Sequence, residues 1–157
     1  MKLILLTFSS SKEEWFQEAK EVYINKLRHF VAFEVEALKT SKMDRSQREQ
    51  KKRWESEQLM KFMKPDDLVV LLDEKGKSLD SEKFARWLEM DGLNKSYKRI
   101  LFIVGGAFGV DSNVKDRAQL ILQMGPWTLN HLVAQTVLME QLYRAFTIIK
   151  GLPYHNQ

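Results

Sequence analysis

The 157-residue sequence contains no cysteine. That excludes disulfides, thiolate metal sites and a cysteine nucleophile. It also lacks any apolar run near the ~18 residues that a membrane span requires. The N-terminal "MKLILLTFSSSKEEW" carries a short apolar run without a small-residue cleavage site, so it reads as a first strand and not as a signal peptide. With no export signal, a cytoplasmic location is the expectation. Several signature motifs are missing as well. There is no GxxxxGK[ST] phosphate loop and no GxSxG nucleophile elbow. The glycines of "GGAFG" have the wrong spacing for a nicotinamide fingerprint and follow the fourth expected strand. The three histidines and the acids form no set with metal-ligand spacing, so no metal is expected. His29, near the end of the first helix, reads as a surface or capping residue.

What is present fits a globular α/β domain. The composition is 44% hydrophobic and 29% charged, and the length suits one domain over residues 1–157. Net charge is +4, which permits an anionic partner such as RNA. The basic residues concentrate in "KTSKMDRSQREQKKRWESEQLMKFMK", residues 39–64. That stretch is either a solvated helix face or a phosphate-contacting one.

Strands and helices alternate along the chain. Buried-type strands are expected at Lys2–Phe8, "VAFEVEAL", Leu68–Leu72, "RILFIV" and "LILQMG". The first helix should start at a Ser10 or Ser11 cap with Glu13 and Glu14 in its first turn. Its inward face should be Trp15, Ala19, Val22, Tyr23 and Leu27. The basic segment passes from loop to helix, with Trp54, Leu59, Phe62 and Met63 as its apolar contacts, and ends at Pro65. The third strand should stop at Leu72 and turn through Gly76. Ser81 should cap the next helix, which turns Phe84, Trp87 and Leu88 inward. A short helix enters through Asp111 or Ser112, and a long last helix ends at Gly151. This order predicts a mainly parallel sheet flanked by helices on both faces. Ligands of such sheets sit outside the carboxyl ends of the strands. Three ends qualify: Leu72-Asp73, Gly105-Gly106 and Met124-Gly125-Pro126. The bare backbone of "LFIVGGAFGV" marks either a tight turn or a close ligand.

The run "IVGGAFG", then "LILQMGPWTLNH", then "LMEQLYRAFTIIKGLPYH" resembles the ribosomal RNA large-subunit methyltransferase H family of the SPOUT superfamily. The resemblance covers essentially the whole chain, and its most specific part runs from Thr128 to His155. It implies an α/β fold with a C-terminal trefoil knot, a homodimer, and S-adenosylmethionine as cofactor. It also implies methylation of N3 of a pseudouridine in 23S ribosomal RNA within assembled ribosomes. The cofactor loops it implies are Leu72 with Asp73, Gly105 with Gly106, and the loop of Gly125, Pro126, Trp127, Thr128, Leu129 and Asn130. On this reading Gly106 is bare because the cofactor lies against it.

His131, Arg144, Tyr154 and His155 are the residues implied near the reaction, with the tail acting across the dimer. His131 and His155 are candidate bases; capping of the last helix is the alternative for His131. Tyr143 and Phe146 read as core or dimer packing, and Glu140 as the partner of a buried arginine. The chain departs from the family pattern at four places. Asn130 replaces a proline, Gln135 an arginine, and Phe108 an acid, while the first strand ends in "TFSSSK" where "VGK" is usual. Two other readings remain open at this point: a non-catalytic ribosome-binding dimer of the same fold, and a methyltransferase acting on another RNA such as tRNA.

Overall fold

The computed structural model describes residues 1–8 and 11–155. Five strands form one parallel sheet: β1 (Lys2–Thr7), β2 (Ala32–Ala37), β3 (Asp67–Ser78), β4 (Arg99–Val104) and β5 (Leu120–Gln123), in the spatial order β2-β1-β4-β3-β5. Five α-helices flank it: α1 (Glu14–Arg28), α2 (Arg48–Phe62), α3 (Ser81–Trp87), α4 (Ser112–Arg117) and α5 (His131–Ile149). A 3-10 turn, Arg45–Gln47, leads into α2, and a π-helical turn, Leu88–Leu93, follows α3.

Strand residues alternate between the faces, as the period-2 pleat requires. Leu3, Leu5, Ile100 and Phe102 pack with residues of α1, α3 and α5. Ile4, Leu6, Leu101 and Ile103 face the other way, toward Leu59 of α2 and Val114 of α4. Both faces are therefore buried, which is why these strands read as continuous apolar runs.

Four local expectations need correction. The inward face of α1 is turned by about one residue: Phe16 and Leu27 are buried, while Trp15 and Val22 are 46% and 49% exposed. Phe16 takes the core position, and Trp15 lies edge-on against its ring at 5.8 Å. The cap of α3 is Asp80, whose carboxylate accepts from the Lys83 N–H, and not Ser81. Ser81 instead donates to Gln141 of α5. The cap position of α1 is Glu13, not Ser11, and it has no side-chain cap bond; Glu14 is the acid of the first turn, and Ser11 Oγ accepts from the Glu13 N–H just before the helix. Ser10 lies outside the described residues.

The fourth correction concerns β3. The strand does not turn at Gly76. It breaks register between Leu72 and Lys77 and then pairs again with β5. Gly76 allows this because a Cβ there would sit 2.7 Å from the Leu122 carbonyl carbon and 2.8 Å from that of Ile121. The glycine marks close backbone approach within a bulged strand.

Candidate functional site

The carboxyl ends of β1, β4, β3 and β5 lie side by side; Thr7 and Leu72 both pair with Val104. They surround a cleft of about 620 Å³, within the usual range for a small-molecule site. Leu72, Asp73 and Glu74 enter it from β3, and Val104, Gly105 and Gly106 from the end of β4. The loop between β5 and α5 supplies Gly125, Trp127, Thr128, Leu129 and Asn130. His131 lines the cleft from the first turn of α5. Pro126 belongs to the same loop but does not line the cleft. The three strand ends singled out from the sequence thus meet at one place.

The loop is tied down on both sides. Gln123 Nε2 donates to the Glu74 carbonyl at 3.0 Å, and Thr128 Oγ1 to the Glu74 carboxylate at 3.4 Å. Gly125 has φ 118°, a conformation that side-chain-bearing residues rarely adopt. Asn130 closes the loop by capping α5: its Oδ1 accepts from the Leu132 N–H at 2.8 Å. The cap is Asn130, not His131, which stays exposed beside the cleft. Trp127 is 79% exposed.

Asp73 is held as an anion. Its carboxylate takes a hydrogen bond from the Lys115 ammonium at 2.8 Å, and this outweighs burial; the Lys75 N–H and the charges of Lys115 and Lys75 add to it. Together they keep its pKa below the ordinary carboxylate value. Such a group fixes the bend of β3 and is a poor proton acceptor at neutral pH.

Gly106, which lines the cleft, also has a close neighbour behind it. A Cβ built on it would overlap Glu55 Oε2. Glu55, on α2, is 1% exposed; Thr40 donates to its Oε1 at 2.8 Å, and among the described residues Oε2 has no hydrogen-bond partner. A side chain at 106 therefore requires the end of this buried carboxylate to move. The neighbouring Ser56, fully buried, accepts from the Asp111 N–H at 2.9 Å. Pattern reading missed both residues, because a glutamate and a serine in a polar helix carry no inward signal. It also missed Thr7, Phe8, Arg48 and Ala134 of the cleft wall.

Two departures from the family pattern touch each other. Gln135, fully buried, donates from Nε2 to Thr7 Oγ1 at 3.4 Å beneath the cleft, and among the described residues its Oε1 has no hydrogen-bond partner. A third, Phe108, takes the Arg48 guanidinium over its ring at 5.3 Å.

Arg144, Tyr154 and His155 form a separate cluster. The Glu140 carboxylate accepts from Arg144 Nη2 at 2.7 Å and Nε at 3.1 Å, and from the Tyr154 hydroxyl at 3.2 Å. His155 Nδ1 lies 3.3 Å from Arg144 Nη1. The Arg144 guanidinium also sits 4.8 Å over the Tyr154 ring. Burial first, and then the Glu140 charge and hydrogen bond, raise the Tyr154 phenol pKa. From His131 to Arg144, α5 climbs about 20 Å, so one chain does not bring this cluster to its own cleft. Glu140 is thus the arginine's partner, as its place in the sequence suggested. Phe146, 3% exposed and stacked on Phe30, belongs to the core. Among the described residues, no group of three or more His, Asp or Glu is placed to hold a metal ion. None of the described helices is long and apolar enough to cross a membrane.

A parallel sheet with a glycine-lined cleft at its carboxyl ends defines an α/β protein of the class whose ligands sit outside the strand ends. The family profile described as "Predicted SPOUT methyltransferase" matches residues 1–155. A protein of Bdellovibrio bacteriovorus called ribosomal RNA large subunit methyltransferase H is 46% identical, over 99% of both chains. Proteins of the same name from Bacteroides fragilis and Syntrophotalea carbinolica are 38% and 33% identical over the full length of both chains. The chain belongs to the SPOUT methyltransferase family.

Proposed function

We propose that this chain, as a single domain acting in a homodimer, transfers a methyl group from S-adenosylmethionine to N3 of a pseudouridine in 23S ribosomal RNA on assembled ribosomes. The observation that carries the reading is the glycine-lined cleft, in a chain that aligns end to end with relatives named for that reaction class. A knotted C-terminal half, a cytoplasmic location and the implied site residues belong to the same reading.

The cleft suits the cofactor. Its volume matches a molecule of this size, and its wall combines the apolar side chains of Leu72, Val104 and Leu129 with open backbone at Gly105, Gly106 and Gly125. Backbone groups of such loops read an adenine edge or a carboxylate without charged side chains. Bound there, S-adenosylmethionine supplies a methyl already activated on a sulfonium. The chain's work is then to orient and to exclude water. Gly125, Thr128 and Asn130 hold the loop shape, with Trp127 along the cleft wall and Pro126 beside it in the loop. The acceptor N3–H must lose its proton, and among the cleft-lining residues His131 offers the single imidazole. Arg144, Tyr154 and His155 reach a cleft only from a second copy of the chain, where Arg144 would face RNA phosphate or base.

The test is transfer of labelled methyl to ribosomes lacking the modification, followed by nucleoside mass spectrometry. One methyl per ribosome, on N3 of a pseudouridine, is the expected result. Absence of transfer by a protein that binds both cofactor and ribosome would overturn the assignment.

A further inference from the structure

Helix α2 has little reason to be in the structure as a core element. It lacks an apolar stripe, and only Glu55, Ser56 and Leu59 of its residues are buried. Its inner side is nevertheless bound closely to the loop after β4. Ser56 holds the Asp111 N–H, Lys52 pairs with the Asp111 carboxylate at 3.6 Å, and Glu55 lies against Gly106. Beside these contacts runs a row of basic residues at three-residue spacing: Arg45, Arg48 and Lys51. Arg48 and Lys51, three apart on α2, are neighbours on its surface, and Arg45 leads in from the 3-10 turn before it. None of the three makes an ion pair among the described residues; the nearby Glu49 is taken by Lys52. Arg48, the middle member, reaches the cleft mouth and rests on Phe108.

We propose that the Arg45–Arg48–Lys51 ridge is a phosphate-binding edge that seats the RNA backbone at the mouth of the cleft. This rests on the reading of the chain as an RNA methyltransferase. Unpaired arginines present a planar fork that suits phosphate oxygens, and the neighbouring acids are engaged elsewhere, Asp44 by Ser46 and Glu49 by Lys52. Because the same helix holds the glycine loop from behind, RNA bound on the ridge is placed relative to the cleft without a flexible joint between. The ridge carries no base-reading contacts, so it contributes position and salt-sensitive affinity, not sequence choice.

The experiment compares the native chain with Arg45→Gln/Lys51→Gln, leaving Arg48 untouched because it lines the cleft. Binding to assembled ribosomes and to naked 23S ribosomal RNA is measured across a range of potassium chloride concentrations, together with S-adenosylmethionine affinity and methylation kinetics. The expected slope of log K against log salt falls by about 1.5 to 2 for two lost phosphate contacts. Ribosome affinity near 0.1 M salt falls about tenfold or more, KM for ribosomes rises, and kcat at saturation and cofactor affinity stay unchanged. Arg45→Lys/Lys51→Arg retains the native slope.

An unchanged slope and affinity in a variant that binds cofactor normally would overturn the ridge and leave the enzymatic reading standing. Loss of ribosome binding with naked RNA binding intact would assign the ridge to a protein partner and overturn the proposal. A native chain that binds neither cofactor nor ribosome would remove both.

Discussion

At the scale of single residues, Gly106 and Glu55 form a coupled pair. Gly106→Ala pushes a methyl into a buried carboxylate, and overpacking of this kind costs about 1–3 kcal/mol. The account predicts that Glu55→Ala, made together with Gly106→Ala, recovers most of that loss, since the obstructing oxygen is gone. Urea denaturation of the four proteins of the cycle gives the coupling directly. Strictly additive losses would show that the two side chains do not meet.

The glycines were visible in the sequence as a sign of close approach; what approaches Gly106 was not. A buried glutamate 51 positions away, in a charged helix, has no local signature. Asn130 is a similar case. It stands where the family pattern has a rigid proline, and its side-chain cap on α5 restrains the same junction by other means.

At the scale of elements, the apolar runs of β1 and β4 and the alternation of β2 placed those strands to within a residue at each end, while β5 ends two residues early and β3 runs six residues on. Helix faces were less legible. In α1 two stripes one residue apart were each plausible, and only the shape of the sheet beneath chooses Phe16 over Trp15. The extension of β3 past Gly76 depends on the backbone of β5 and so lay outside any local pattern.

The opposite end of the sheet is tied by charge. Asp67, 2% exposed, accepts from Arg99 Nε at 2.8 Å and Nη2 at 2.5 Å, and from the Lys64 N–H at 2.7 Å. Burial alone would raise its pKa, but the Arg99 hydrogen bonds, the Lys64 N–H and the charges of Arg99 and Arg117 together hold it below the ordinary value. A depressed native pKa means that the stabilisation is complete above the unfolded value of about 3.9 and is lost as pH falls through the lower native value. Asp67→Asn should therefore cost about 3 kcal/mol at neutral pH. The gap to the native protein should narrow below about pH 4. Thermal melts at pH 7, 5 and 3 test this, and a gap independent of pH would contradict it. Cofactor affinity should not change, because the pair sits at the far end of β3 from the cleft.

At the scale of the whole molecule, the distance along α5 is decisive. Along α5, Arg144 lies about 15 Å beyond Ala134, the last cleft-lining residue of that helix. The family resemblance implied a tail that acts across the dimer, and the length of α5 fits that expectation by keeping the cluster away from the cleft of its own chain. If a second copy supplies the cluster, then His131→Ala and Tyr154→Ala chains, each inactive alone, should complement when mixed or co-expressed. Random pairing gives half heterodimers with one intact site of two, so roughly a quarter of native activity should return. No recovery, with heterodimers demonstrated, would contradict supply of the cluster by the second copy.

The central claim is that the cleft at the strand ends holds S-adenosylmethionine. Gly106 is an unsuitable probe, because its substitution reports on Glu55. Ala134 is better: it lines the cleft from a regular helix, so a larger side chain there fills space without demanding an unusual backbone. The measurement is calorimetric titration of the native chain and of Ala134→Phe with S-adenosylmethionine, with matched melting curves. The account predicts saturable binding by the native chain, weakened at least tenfold in the variant with its fold retained. Equal binding by both would place the cofactor elsewhere and contradict the account.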